Sequence, residues 1–450
     1  MKVIEHVQLR LIASAAILVA GLSSAGGAQA MSLMEAYQSA LAHDPTYQEA
    51  VQDAAAGKEY KVLGRSSLLP NVQASYAASR NRADQFTHEQ GMIFPSHPQY
   101  ISRDKELSLR QPLFSLDAWA RYKQGVAQSN YSDENFEGRA QELITRVVGA
   151  YVDALFANEQ LRLSQVQRDF FAEQKAVNDH LFEKGEGTRT DMLETQSRLE
   201  LAEAQLIEAQ DNATVSFATL STIVGQEVTS LDELASNFPF VEMPEGGYEA
   251  WRKIALERNP DIRAQNYAIE AAKQDVARSR AGHTPRLDMV ASYSKDNAAS
   301  LNTYTQDSTN RAVGFQLTVP LYSGGSVSAT TRQSAAGLEK ARAELQLRID
   351  KVLVEVRKQH ALVLSSVARI HALERAVASG ELLVTATQQS IKGGVRINLD
   401  LLNARQQLFT SQRDLAQARY TYLLSLLRLR AAAGVASPDD VLEVSRYFRH

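Results

Sequence analysis

An internal repeat restricts the fold of this chain more than any other feature of its sequence. Gly185 is followed six residues later by Asp191, and the same G-x5-D arrangement recurs 209 positions further on, at Gly394 and Asp400. The spacing is then kept by further pairs: Leu193 and Leu402, Leu199 and Leu408, Leu206 and Leu415, Leu220 and Leu429, Gly225 and Gly434. Self-similarity at a fixed offset indicates a repeated structural unit. The chain therefore contains two copies of one unit in tandem.

The beginnings of the two copies also match. Ala40-Leu41-x-x-Asp44-Pro45 corresponds to Ala255-Leu256-x-x-Asn259-Pro260. Between the copies lies a stretch with Pro239, Pro244 and a Gly-Gly pair, which is typical of a linker. We therefore expect a first repeat, a linker, a second repeat and a C-terminal periplasmic tail, at residues 31–236, 237–247, 248–434 and 435–450.

Residues 1–30 have the composition of a secretory signal peptide. Lys2 and Arg10 precede the apolar run Leu11–Leu22, and Ala28-Gln29-Ala30 supplies small residues for cleavage. Because the apolar run is too short to span a bilayer, cleavage is favoured over the alternative of a signal anchor. The chain has no cysteine, which excludes disulfides, a thiolate nucleophile and a lipid-modified N-terminal cysteine. We expect an exported protein that is held together by packing alone.

Two long segments without proline, 113–238 and 321–437, predict very long helices. Both are rich in Ala, Leu, Gln, Glu and Arg, which favour helix formation. Apolar residues recur at steps of three and four in narrow stripes of the coiled-coil kind, one of which contains Leu143, Val147, Tyr151 and Leu155. The pattern in 114–183 corresponds to roughly 100 Å of helix. Helices of that length do not fit in a compact domain, so we expect hairpins that reverse at Gly185 and Gly394.

Between the prolines the apolar period changes from helical to alternating. Alternation is seen, with one lapse at Val290, in four segments: Asn71–Tyr76, Glu106–Arg110, Arg286–Tyr293 and Val313–Val319. They form two pairs around polar loops, Ala77–Lys105 and Ser294–Arg311. Strands of about ten residues with one apolar face are typical of transmembrane barrels. A soluble antiparallel sheet with one solvent-exposed face has the same pattern. Aromatic residues are expected near the two membrane interfaces: Tyr76, Phe114, Tyr293, Phe315 and Tyr322.

Four strands are too few for a chain to build a barrel alone. They cannot close around a lumen, and a sheet with free edges in lipid leaves backbone groups unpaired at a cost of several kcal/mol each. Three copies would supply twelve strands around a polar lumen, and the helices would prolong this barrel as a tube. We therefore predict an α+β membrane protein with a tandem repeat, four transmembrane strands per chain in a trimeric 12-strand barrel, and long periplasmic α-helical coiled-coil hairpins.

The repeated motif has a structural interpretation. The two glycines of the turns would cap the ends of the long helices in the left-handed conformation. Thr188 or Thr190, and Asn398, are candidate N-caps of the returning helices. Asp191 and Asp400 follow in the first turn, where the helix dipole favours a carboxylate by ~0.3–1 kcal/mol.

The same motif also has a functional interpretation. In an oligomer each acidic residue at the tip occurs in every copy, so Asp191, Glu194 and Asp400 could form negative rings at a constriction that favours cations. Arg189 and Arg396 could pair with carboxylates of neighbouring hairpins and hold the end closed. Exposed pairs contribute only ~0–1 kcal/mol each, which suits a closure that must open.

These features resemble the TolC-like outer-membrane efflux family. The resemblance rests on the duplicated G-x5-D-x-L arm, the Pro-Leu-aromatic strand exits at Pro112 and Pro320, and the proline-bracketed strands. Among the members, the chain is most similar to outer-membrane components of type I secretion systems that export proteases. The resemblance implies a trimeric barrel continued by an α-helical tunnel, docked onto a periplasmic adaptor and an inner-membrane ABC transporter.

The resemblance further implies a gate in the second repeat. The family pattern has an arginine and two acidic positions after the glycine, and a tyrosine before it. Arg396 and Asp400 match, whereas Asn403 occupies the second acidic position and Ile391 the tyrosine position. Glu194, in the first repeat, is expected to supply part of the missing charge.

The expected function is a passive duct in the outer membrane of a Gram-negative bacterium. A homotrimer, embedded in outer-membrane lipid, would pass a secreted protein, and the alternative is a small-molecule (multidrug or metal) efflux pump. The net charge of −4 gives no indication of a nucleic-acid partner. We also expect no cofactor. Phosphate-binding and nucleophile-elbow motifs are missing, so an enzyme is not expected. Two alternatives remain: a coiled-coil protein without a pore, and a metal site at His88 and His97 with Asp84 and Glu89.

Overall fold

The computed structural model describes residues 30–235, 238, 240 and 247–449. The predicted signal peptide lies outside the described residues except for Ala30, and the predicted linker lies outside them except for Phe238, Phe240 and Gly247.

The main elements follow one another in the same order in the two copies. In the described part of the first copy these are α1 (Leu33–His43), α2 (Pro45–Ser66), β1 (Asn71–Arg82), β2 (Gln85–Glu89), β3 (Met92–Ser96), β4 (Gln99–Phe114), α3 (Leu116–Glu183), α4 (Arg189–Val224) and β5 (Glu233–Leu234). The second copy and the tail contain α5 (Gly247–Arg258), α6 (Pro260–Ala281), β6 (Arg286–Asn297), β7 (Asp307–Thr318), α7 (Ser326–Lys392), α8 (Asn398–Ala432), α9 (Pro438–Ser445) and β8 (Phe448–Arg449). Two short helices, a strand pair, one very long helix and a returning helix thus recur.

The long helices form two antiparallel hairpins. Hairpin 1 consists of α3, with 68 residues, and α4, whereas hairpin 2 consists of α7, with 67 residues, and α8. Each long helix measures about 100 Å. Its half nearer the sheet packs on the short helices, α2 and α6 for α3, and α6 for α7. Among the described residues, we find no helix with the length and hydropathy of a membrane span.

Four strands form an antiparallel sheet in the order β1-β4-β6-β7. The predicted loops are too long, because the strands extend well beyond the apolar alternation: Arg82 still pairs with Gln99, and Asn297 with Asp307. Backbone pairing does not require apolar side chains, so the ladders continue through polar residues. The intervening loop 83–98 contains a small second hairpin, β2 with β3.

The largest apolar core lies at mid-length along the helices, where α1, α3, α5, α8 and α9 meet. Tyr151, fully buried in α3, is at its centre: its hydroxyl donates to the Met31 carbonyl at 2.9 Å and accepts from the Asp232 N–H at 3.1 Å. The C-terminal tail is part of this core, since Val441 is fully buried and β8 pairs with β5. Arg430 of α8 holds α9 through ion pairs with Asp440 and Glu443.

Candidate functional site

The tip of each hairpin is a short turn that begins with a left-handed glycine. Gly185 has φ +74° and Gly394 has φ +71°. A Cβ at either position would meet nothing within 4 Å, so the backbone conformation, not a lack of space, favours glycine here. In both turns an N–H reaches back five residues, from Glu186 to the Leu181 carbonyl and from Val395 to the Ser390 carbonyl, at 2.9 Å in each case. This is the Schellman arrangement of a helix end.

The two returning helices begin differently. Thr188 is the N-cap of α4, and its hydroxyl accepts from the Asp191 N–H at 3.1 Å and donates to the Asp191 carboxylate at 2.6 Å. In α8 the N-cap is Ile397, which provides no side-chain cap. The prediction of Asn398 as an N-cap is therefore wrong by one residue. Asn398 is the first helical residue, and its side-chain amide instead donates to the Asn178 side-chain oxygen at 3.1 Å.

Asn178 of α3 joins the two hairpins near their tips. It is 5% exposed, and its side-chain N–H donates to the Asp191 carbonyl at 3.3 Å while its oxygen accepts from Asn398. One buried amide thus contacts the first turn of both α4 and α8. An amide in the middle of a polar helical stretch gives no signal of this role in the sequence.

Arg198 of α4 makes a second link between the hairpins. Its guanidinium donates to the Asn403 side-chain oxygen at 2.8 Å and lies 3.6 Å from the Glu194 carboxylate. Glu194 and Asn403 are equivalent positions of the two repeats, so one arginine contacts both members of the pair. Farther from the tip, the Gln167 amide donates to the Gln406 oxygen at 2.8 Å. Arg198 was not among the predicted site residues, although its place one turn after Glu194 was a usable signal.

The predicted arginines of the tip have different environments. Arg396 lies 4.0 Å from Asp400 of the same hairpin, and both side chains are close to half exposed. Arg189 is exposed and, within the described part of the chain, has no ion pair. Pairing of either arginine with a neighbouring copy stays a prediction.

The register of the sheet separates an apolar face from a polar face. Val72, Leu109, Ala291 and Val313 lie side by side on one face, and the adjacent row, Gln73, Ser108, Ser292 and Ala312, lies on the other. We call the first the apolar face; its members are Val72, Ala74, Tyr76, Leu107, Leu109, Leu287, Met289, Ala291, Tyr293, Val313, Phe315 and Leu317. In the single chain this face is largely open to solvent, with Val313 81% and Phe315 73% exposed.

The predicted interface aromatics lie at two levels of the sheet. Phe114 is paired with Leu287, at the end where the helices attach, and Phe315 with Met289 nearby. Tyr322 follows the end of β7, at this same end of the sheet, and is 87% exposed. Tyr76 and Tyr293 lie farther out, about six residues, or roughly 20 Å, along the strands. Two separated aromatic levels are the arrangement expected of a membrane-spanning sheet.

Three side chains of the candidate metal site in the outer loop are described, those of Asp84, His88 and His97. His97 hydrogen-bonds through Nδ1 to Asp84 at 2.6 Å. In the ranges that the structure covers, no group of three or more His, Cys, Asp or Glu side chains could hold a metal ion.

The family model described as Outer membrane efflux protein matches residues 36–226 and 251–435. The chain belongs to this family. The predicted resemblance and the outer-membrane location are thus confirmed, as is the α+β architecture of four strands and long helical hairpins.

Two curated relatives and one solved structure show how far the similarity extends. The Alkaline protease secretion protein AprF of Pseudomonas aeruginosa is 41% identical over 93% of this chain and 88% of its own. The Proteases secretion protein PrtF of Dickeya chrysanthemi is 35% identical over 97% of this chain and 95% of its own. The Campylobacter jejuni CmeC outer membrane channel, 16% identical, has the same fold with a TM-score of 0.77 over 95% of both chains.

Proposed function

We propose that this outer membrane efflux protein is the exit duct of a type I secretion system, through which a secreted protease leaves the cell. The observation that carries the proposal is the identity of 41% over almost the whole chain with an alkaline protease secretion protein. The duct itself is passive and catalyses no reaction. Its geometry provides a wall, an apolar face for lipid and a polar face for the passing chain.

The duct is assembled from three copies. Within one chain the sheet has two free edges, β1 and β7 of the order β1-β4-β6-β7, among the strands that the structure describes. Strands alternate in direction across this sheet, so β7 of one copy runs antiparallel to β1 of the next and can continue the ladder. Twelve strands close the barrel and leave no edge in lipid. The helices then continue the barrel as a tube into the periplasm.

The energy for transport comes from partners at the tube's periplasmic end. The sequence has no phosphate-binding loop, because Gly324-Gly325 and Gly393-Gly394 lack the Lys-Ser/Thr that completes one. A periplasmic adaptor and an inner-membrane ABC transporter dock at the hairpins. These partners select the cargo, since the duct contacts only an unfolded chain in passage.

The hairpin tips close the duct when it is idle. Asp191, Glu194 and Asp400 form acidic rings in the trimer. Two hydrogen bonds keep hairpin 2 against hairpin 1 in each copy. Asn398 donates to Asn178 at 3.1 Å, and Arg198 donates to Asn403 at 2.8 Å. Opening requires these polar contacts to exchange for water, at a net cost of about 1 kcal/mol each.

Reconstituted secretion tests the proposal. The full-length chain is expressed with the adaptor, ABC transporter and protease of a type I system in cells that lack their own outer-membrane component. We expect protease activity in the medium, together with heat-resistant trimers on gels and channel conductance in planar bilayers. A monomer without conductance contradicts the duct. Conducting trimers that restore only resistance to small toxic molecules would favour the alternative of a drug or metal efflux pump.

A further inference from the structure

Unpaired basic side chains are concentrated at the end of the sheet that lies farthest from the helices. They belong to the same side of the sheet as the apolar face, level with its two tyrosines and beyond them. We call them the basic belt: Arg80, Arg82, Arg103, Lys105, Lys295 and Arg311. All six are exposed, and none has an ion pair within the described ranges.

Two lysines of the belt are direct neighbours on adjacent strands. Lys105 of β4 pairs in register with Lys295 of β6, on the same face. Directly opposed side chains of an antiparallel pair have Cβ atoms about 5 Å apart, and like charges there are destabilising. An anion that contacts both ammonium groups would remove this repulsion.

Acidic side chains of the four strands do not neutralise the belt. Asp104, Glu106, Asp288 and Asp296 belong to the polar face, as the strand register shows. Of the acidic residues in β1, β4, β6 and β7, all of which the structure describes, only Asp307 shares the belt's face, and its carboxylate accepts a hydrogen bond from Asn297. The polar face has two basic residues in these strands, Arg110 and Arg286, and both form ion pairs with Asp288. The unpaired basic residues are therefore on the belt's face, and most acidic residues are on the other.

The belt lies at the depth of a lipid headgroup region. Leu287 and Lys295 bound the apolar rows of β6 and are separated by eight residues, roughly 26 Å along the strand. This is close to the apolar band of ~25 Å that outer-membrane barrels present to lipid. Two belt residues lie over interface tyrosines: Lys105 Nζ is 5.8 Å from the Tyr76 ring centroid, and Arg311 Cζ is 5.6 Å from that of Tyr293.

We propose that the basic belt binds the phosphate groups of anionic glycolipids in the outer leaflet. This inference rests on the proposed barrel, which places the apolar face in lipid and the end of the sheet away from the helices at the cell surface. A phosphate between Lys105 and Lys295 accepts charge-assisted hydrogen bonds from both, and the belt's arginines can contact further phosphates in bidentate geometry. The lipid holds the outer rim of the barrel in register with the headgroups.

The test compares two forms of one lipid on the purified full-length trimer in detergent. Binding of diphosphorylated lipid A and of enzymatically dephosphorylated lipid A is measured by native mass spectrometry, for the wild type and for Lys105→Gln/Lys295→Gln. A matched control, Lys58→Gln/Lys61→Gln, removes two exposed lysines from α2, in the helical part of the chain. We expect the wild type and the control to prefer the phosphorylated form. The belt variant should bind it about 30-fold more weakly.

Equal binding of the two lipid forms by the wild type overturns the inference, as does unchanged binding of the phosphorylated form by the belt variant. The comparison within the wild type does not depend on how well any variant folds. Heat resistance and conductance are recorded on the same samples, because a wild-type chain that forms no conducting trimer contradicts the proposed barrel rather than the lipid contact.

Discussion

At the scale of single residues, the two repeats have diverged where their hairpins meet. The position that is Glu194 in the first copy is Asn403 in the second, and Arg198 contacts both. A carboxylate at Asn403 would give Arg198 a second ion pair, whereas the amide provides only a hydrogen bond. The link between hairpins is therefore weak enough to open, which is consistent with a closure that must release.

Arg198→Ala should raise the conductance of the idle channel. The variant loses the 2.8 Å hydrogen bond to Asn403, worth about 1 kcal/mol in each copy, so the closed tip opens more often. Baseline current in planar bilayers measures this. Arg162→Ala is the matched control, because the ion pair of Arg162 with Glu159 stays within α3. If baseline current rises with Asp400→Ala and not with Arg198→Ala, the closure depends on the acidic ring alone.

Some features of single residues at the hairpin tips could be predicted from the sequence, and others could not. The turns at the two repeated glycines follow from a local rule, since a left-handed residue ends a helix and glycine adopts that conformation without strain. The contacts of Asn178 and Arg198 between the hairpins could not be predicted, because they depend on how hairpin 1 packs on hairpin 2; the sequence indicates only the pair of Arg198 with Glu194 one turn before it. The one-residue error at Asn398 has a local cause: Ile397 takes the extended N-cap conformation although its side chain cannot cap.

At the scale of elements, the long helices were predictable and the ends of the strands were not. The stripe of Leu143, Val147, Tyr151 and Leu155 predicted a buried face, and all four are at most 4% exposed. The strands continue past Tyr76 into Ala77–Arg82, a polar stretch without alternation. Their pairing there is stabilised by the backbone ladder, to which side-chain patterns give no guide.

The contact between α3 and α6 should give stability a specific pH dependence. Glu134 of α3 is 9% exposed and forms an ion pair with Arg263 of α6 at 2.5 Å. Burial raises the pKa of the Glu134 carboxyl above its ordinary value of 4.5, with Glu137 and Asp133 adding to the rise and Arg263 opposing it. The folded state therefore holds the proton more tightly than the unfolded state. Stability from this group falls as pH rises from about 4.5 through the raised pKa.

Glu134→Gln should remove that dependence. We expect the melting temperature of the variant to gain on the wild type between pH 4.5 and pH 8, measured by the loss of helical circular dichroism in detergent, because glutamine has no proton to lose. Glu339→Gln, which alters an exposed ion pair on α7, controls for general charge effects. A constant difference between Glu134→Gln and the wild type across this range would show that the carboxyl titrates normally.

At the scale of the whole molecule, a single chain cannot be the functional unit. Large apolar side chains such as Val313 and Phe315 are exposed at 81% and 73%, and in the described part of the chain each edge strand of their sheet is paired on one side alone. Lipid can cover such a face and further copies can complete such edges, so we expect trimerisation and membrane insertion to depend on each other. The sequence predicted this from the number of strands alone, whereas the belt and the separation of most acidic side chains onto the polar face emerge only from the register.

Val313→Arg should therefore block assembly, whereas Ala312→Arg should not. Val313 lies midway along the apolar face, where an arginine in lipid costs up to ~2–4 kcal/mol per chain, three times over in a trimer. Its neighbour Ala312 points to the polar face, where an added charge meets water and alters only the ion selectivity of the channel. Heat-resistant trimers in isolated outer membranes provide the measurement. Loss of trimers with Ala312→Arg alone would mean that the two faces are assigned the wrong way round, and normal assembly of both variants would mean that this sheet does not cross the membrane.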